Sequence, residues 1–255
     1  MILEICVDSV ESAMAAARGG AGRIELCSAL CEGGITPSAG LIGAVRRAVA
    51  IDLYAIIRPR GGDFVYSERE YEVMREDIRI AKEMGVDGVV FGLLDAQGMV
   101  DTARTRSLIE LARPMGVTFH RAFDVSTNLD QALEQVIDCG ADRLLTSGGE
   151  TDALRGMNRI ARLNKAAGGR LRIMAGGGVR ESNVRKLVQH CGVGEVHTSL
   201  STQFRSSARH GNPDVHIGLQ PNEFMRFPVL EEDVRRFKTV LDAIPVVNAA
   251  ESSVQ

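Results

Sequence analysis

The run Val117-Thr118-Phe119-His120-Arg121-Ala122-Phe123-Asp124 sets an imidazole, a guanidinium and a carboxylate at the end of a short apolar stretch that alternates like a strand. His120 and Asp124 are four apart, so on an extended segment they share a face, while Arg121 points away unless the backbone bends. An imidazole beside a carboxylate can move a proton or hold a metal, and Asp124 or Glu25 would orient it. Thiols form a second group. Cys6 and Cys27 each close an apolar run, and Cys31 follows four residues later, beside Glu32-Gly33-Gly34. Cys139 and Cys191 fall at helix ends, where a buried thiol acts as a small hydrophobe.

The elements that would position these groups repeat along the chain. Apolar runs at Ile2–Cys6, Arg23–Cys27, Leu53–Arg58, Gly88–Gly92, Val117–His120, Arg143–Ser147, Arg172–Ala175 and Glu195–Ser199 read as eight strands, each with a helical stretch behind it. Helix starts are signalled by Asp8-Ser9, by Thr36-Pro37 and by the capping box Ser67–Glu70. Four segments align without gaps: Gly20–Cys27, Gly85–Gly92, Gly140–Ser147 and Gly192–Ser199. In each, a glycine ends a helix, a small apolar residue follows and a strand begins, so a double βα module is used four times. Alternating units of this number predict an α/β fold, a single (β/α)8 TIM barrel over residues 1–244, with 245–255 as a disordered tail. An open doubly wound sheet would want a glycine fingerprint in its first turn, where this chain has Cys6-Val7-Asp8-Ser9.

Barrel strands bury both faces, so polar strand residues point to the interior or to the carboxyl-end rim. That phase turns Glu4, Cys6, Arg23, Glu25 and Cys27 inward and puts Glu25, Val90, Leu145 and His197 in one layer. Cys27, Gly92, Ser147 and Ser199 would then stand at the rim, small enough to leave a hollow at which Arg58, Arg60 and His120 are aimed. Such a hollow suits a small anionic molecule. Gly176, Gly177 and Gly178, after the seventh strand, read either as part of a phosphate cup with Ser199–Ser207 or as a plain tight turn. Arg58–Phe64 reads as a lid, or its arginines pair with Glu4 and Glu25; Glu4, Arg23, Glu25 and Arg143 also read as a buried ion-pair network with no catalytic duty.

Composition narrows the classes. With 255 residues, 45% hydrophobic and 25% charged, the chain can bury a full core. A net charge of −3 gives no field for nucleic acid or an anionic membrane, and no apolar stretch is long enough to span one. Five cysteines, an odd number in a chain of this size, predict free thiols in the cytoplasm.

The runs Glu4-Ile5-Cys6, Arg23-Ile24-Glu25-Leu26-Cys27, Glu32–Ser38, Ile57–Phe64, Val117–Asp124, Leu145–Gly148 and Met174–Val179, in this order, resemble the CutC family over nearly the whole length. The resemblance implies a cytoplasmic TIM-barrel protein, a homo-oligomer, concerned with copper homeostasis, and it puts Cys6, Cys27 and Cys31 forward as Cu(I) ligands, since thiolates suit a soft ion. Ser206–Asn212 departs from the family's methionine- and arginine-containing pattern. Two function classes therefore stand side by side. One holds Cu(I) on the three thiols. The other is an enzyme or sensor for a small anionic ligand, a phosphorylated one included, held by Arg58, Arg60, Ser147, Gly176–Gly178 and His197, with His120, Asp124 and Glu25 as acid–base groups. A third reading is an inert scaffold.

Overall fold

A computed structural model describes residues 1–208, 215 and 224–245. Eight parallel strands, β1 (Ile2–Val7), β2 (Arg23–Leu26), β3 (Asp52–Ile56), β4 (Gly88–Phe91), β5 (Gly116–Phe119), β6 (Arg143–Thr146), β7 (Arg172–Ala175) and β8 (Glu195–Thr198), close into a barrel in chain order, with β1 pairing both β2 and β8. Around them lie helices α1 (Val10–Arg18), α2 (Ala39–Ala48), α3 (Glu68–Glu83), α4 (Thr102–Ala112), α5 (Leu129–Cys139), α6 (Met157–Ala167), α7 (Glu181–Cys191) and α8 (Glu231–Asp242). This is a (β/α)8 TIM barrel. A two-stranded antiparallel ribbon, β9 (Phe204–Arg205) with β10 (Met225–Arg226), follows β8. The expected tail beyond Pro245 and most of Ser206–Asn212 lie outside the described residues.

Local chemistry accounts for the helix starts. Ser9 caps α1 by accepting from the Ser12 N–H, and Ser67 and Glu70 form the reciprocal box that opens α3. The second helix begins later than Thr36-Pro37 suggests, because Ser38 takes the capping position. Thr36 instead exchanges hydrogen bonds with Arg58 and ties the loop after β2 to the end of β3. The four repeat glycines, Gly20, Gly85, Gly140 and Gly192, all have positive φ between 65° and 97°, the left-handed conformation in which a glycine stops a helix at least cost.

The core has two parts. The larger packs the outward side chains of the strands, such as Leu3, Ile24, Leu53, Val89, Val117 and Leu144, against the helices. The smaller lies inside the barrel and joins Cys6, Cys27, Tyr54, Ile56 and Val90. Polar residues take the rest of the interior, and they set up the site. No helix among the described residues is long and apolar enough to cross a membrane.

Candidate functional site

The barrel floor is charged. Glu4 from β1, Arg23 from β2, Arg143 from β6 and Glu195 from β8 are all buried. Arg23 donates through Nε to Glu4 and through Nη2 to Glu195 at 2.5 Å, while Arg143 donates to Glu195 and, at 3.2 Å, to Thr118 Oγ1. Tyr54 caps both guanidiniums, its ring 5.1 and 5.4 Å from their carbons. The side chain fits because β4 and β5 begin with Gly88 and Gly116, where a Cβ would come within 2.4 Å of the ring and 2.2 Å of its hydroxyl. The ion-pair network anticipated among Glu4, Arg23, Glu25 and Arg143 therefore exists with Glu195 in place of Glu25.

Glu25 belongs to the next layer. His197 of β8 stands between two carboxylates, with Nδ1 2.7 Å from Glu4 Oε1 and Nε2 3.8 Å from Glu25 Oε2. Burial pulls the imidazole toward neutrality, but the Glu25 charge and the Glu4 hydrogen bond outweigh it and raise its pKa. Burial pushes Glu4 up, yet the His197 hydrogen bond and the Arg23 charge hold it at about 2. Glu25 is raised by burial, only partly offset by the His197 charge, and its Oε1 is buried with no hydrogen-bond partner. Cys6 completes the group: one donor atom each from Cys6, Glu25 and His197 lies within 4.8 Å of the other two.

Cys6 Sγ is also 3.6 Å from Cys27 Sγ. The contact with Cys27, burial and the Glu25 charge push the Cys6 thiol well above its ordinary pKa, so at neutral pH it is protonated unless a cation replaces the proton. Cys27 is fully buried beneath the loop after β2, where Gly34, at φ 87°, brings its backbone so close that a Cβ would sit 3.3 Å from the Cys27 Cβ. Cys31 is exposed on the turn Leu30–Glu32, and the three thiols do not gather within 4.8 Å of one another. The structure unites Cys6 and Cys27, leaves Cys31 at the rim, and substitutes His197 and Glu25 as the close neighbours of Cys6. As a test of fit for a soft ion, two buried sulfurs in contact with an imidazole near one of them form a suitable donor set.

A cavity of about 1450 Å³ opens above this layer at the carboxyl ends of the strands. Cys6, Glu25, Cys31, Arg58, His120, Arg121, Asp124, Gly177, Gly178 and His197 line it; Cys27, Arg60, Ser147 and Gly176 do not. The arginines expected to clamp an anion are engaged elsewhere. Arg58 donates to the carbonyls of Glu32, Gly34 and Gly62, and Arg60 pairs with Glu70 and Asp63, so neither meets Glu4 or Glu25.

Phe64 packs on Arg58 and on the His120 ring, at 5.1 and 5.0 Å. His120 bonds neither Asp124 nor Glu25. Its Nδ1 accepts from the Ala122 N–H at 3.3 Å, burial and the Arg58 charge lower its pKa to about 3, and the neutral ring thus carries its proton on Nε2, which is buried without a partner. Gly92 gives the ring room, since a Cβ there would be 2.6 Å from Nδ1. Asp124 instead gathers Arg121 Nε, Thr146 Oγ1 and the N–H groups of Ser147 and Gly149, with Ser147 Oγ bridging Arg121 and Asp124. Gly176 makes room for Leu145 and His197, and Gly177 for Arg121 and Ser147, so the triple glycine serves close side-chain packing.

A closed βα barrel whose carboxyl-end mouth holds thiols, an imidazole and a carboxylate defines a TIM-barrel protein with a metal-capable site. The CutC family profile matches residues 1–202, and the chain belongs to that family. It is 48% identical to a CutC family protein of Chromobacterium violaceum over 94% of this chain and 98% of that one. It is also 48% identical to the mouse copper homeostasis protein cutC homolog, over 85% of this chain and 80% of the mouse protein. A solved structure from Streptococcus agalactiae, assigned to copper homeostasis as CutC, superposes with a TM-score of 0.74 at 32% identity, covering 77% of this chain and 97% of that one.

Proposed function

We propose that this chain is a cytoplasmic copper-handling protein that takes Cu(I) as cargo on the thiolates of Cys6 and Cys27. The observation that carries the reading is the 3.6 Å contact between two buried sulfurs at the base of an open barrel mouth. Thiolates select a soft monovalent ion, and the relatives named for copper homeostasis are consistent with that choice. The five cysteines are free, as a reducing compartment requires. Cys31 contributes no ligand in this reading. A small-anion enzyme is less well served, because Arg58 and Arg60 spend their guanidinium groups on loop carbonyls and carboxylates.

An anaerobic competition titration of Cu(I) against a chromophoric chelator tests it. Wild type and Cys31→Ser should each retain one equivalent, while Cys6→Ser and Cys27→Ser should lose affinity by more than ~100-fold, beyond what loss of a supporting group costs. Undiminished retention in the Cys6→Ser/Cys27→Ser double variant would overturn it.

A further inference from the structure

We infer that the barrel mouth carries a second metal site, distinct in donor chemistry from the thiol pair: a divalent, borderline-soft ion of the zinc class held by Cys6 Sγ, a Glu25 carboxylate oxygen and His197 Nε2. The three donors already converge within 4.8 Å, and His197 Nε2 and Glu25 Oε2 are 3.8 Å apart. Donors around a tetrahedral zinc stand roughly 3.3–3.7 Å apart given its usual bond lengths, so small side-chain shifts complete the set. The donors come from adjacent strands of one closed sheet, β8, β1 and β2, and their backbones are fixed by its ladder.

Two observations independent of the convergence point to a ligand there. Glu25 Oε1 is buried without a hydrogen-bond partner, a costly state unless something occupies its lone pairs. Glu4 holds His197 by Nδ1 at 2.7 Å and is itself held by Arg23. That carboxylate behind a histidine fixes the ring with Nε2 directed at the ion, the support that metal-ligating histidines ordinarily have.

Three protein donors leave a coordination position open, and all three line the cavity, so the vacant position faces solvent and whatever small molecule enters. The ligand class is therefore water or an oxygen donor of a small molecule. Cys6 is shared with the copper reading. Cys27 belongs to that reading alone, and Glu25 to this one.

The division sets the experiment: anaerobic Co(II) titration of the reduced full chain, followed by Zn(II) displacement and run beside the Cu(I) competition. Wild type should bind one Co(II) with a near-ultraviolet sulfur-to-metal charge-transfer band and the intense visible bands of four-coordinate cobalt, all lost as one equivalent of Zn(II) is added. Glu25→Gln should weaken Co(II) by more than ~100-fold, beyond what loss of a supporting group costs, and leave Cu(I) retention intact; Cys27→Ser should do the reverse. His197→Gln repeats the loss at a second position, and thermal melting confirms that each variant is folded. Co(II) uptake without the sulfur band, or with an affinity unmoved by Glu25→Gln and His197→Gln in folded protein, would overturn the inference. It stands or falls separately from the copper reading, whose failure would show in the Cu(I) arm.

Discussion

Arg23→Met asks how much the charged barrel floor contributes to stability. The side chain is 1% exposed, donates to Glu4 and to Glu195, and lies over Tyr54. At the 2.5 Å Arg23–Glu195 contact, an effective dielectric of about 20 gives a Coulomb attraction of about 7 kcal/mol, most of it offset by the desolvation of both ions. What the substitution adds is the cost of leaving charge unpaired: Glu4 would keep only His197, and Glu195 only Arg143. Loss of one partner from a buried pair costs about 3–5 kcal/mol, which in a chain of this length lowers Tm by roughly 8–16 °C for a loss near 4 kcal/mol. Urea unfolding followed by circular dichroism at pH 7 gives the free energy. Arg23→Met/Glu4→Gln, which removes the stranded carboxylate, should recover about half of the loss. If Arg23→Met costs less than ~1 kcal/mol, the floor is not an ionised network and the reasoning fails.

Two further perturbations test the mouth. His120 has a folded pKa of about 3 against 6.5, so between these values the unfolded chain binds the extra proton; stability falls as pH drops through that window, by about 3 kcal/mol at pH 4.5. His120→Asn should flatten that slope relative to wild type in urea midpoints at pH 7 and 4.5, and equal slopes would contradict a buried neutral ring. Asp124→Asn keeps the shape but halves the acceptors that meet Arg121, Thr146, Ser147 and Gly149, and should cost about 2–3 kcal/mol with faster limited proteolysis at Gly148–Gly149; unchanged proteolysis would show that the carboxylate does not hold that loop.

Much of this was legible in the sequence. Polar residues on strands buried on both faces set the phase, which puts Glu4, Cys6, Arg23, Glu25 and Cys27 inside the barrel, and the four glycine-led repeats carry it to the other even strands. Periodicity cannot say which inward residue meets which across the interior, because that depends on stagger and on side-chain reach. Hence the sequence pairs neither Glu195 with the floor nor His197 with Glu4 and Glu25. Tyr54 had a signal, since two strands opening with glycine leave room for a large neighbour. Arg58 misled because a guanidinium at a strand end serves loop carbonyls as readily as a ligand. The Asp124 spacing from His120 implied a dyad only if the strand continued, and instead the chain turns at Arg121–Val125.

The floor also bears on how the chain reaches its native state during synthesis. Arg23 finds Glu4 within the first two strands, 19 residues away, but its second carboxylate, Glu195, is 172 residues downstream. Arg143, emerging with β6, waits 52 residues for the same carboxylate and meets only the Thr118 hydroxyl meanwhile. A nascent chain short of β8 thus holds a guanidinium that cannot be buried cheaply, and its partial sheet resists sealing around the wrong register. Arrival of Glu195 neutralises Arg143, completes Arg23 and closes the ring against β1 together. The last strand is in this sense a lock on the first, and the ring of the barrel closes only when the two meet.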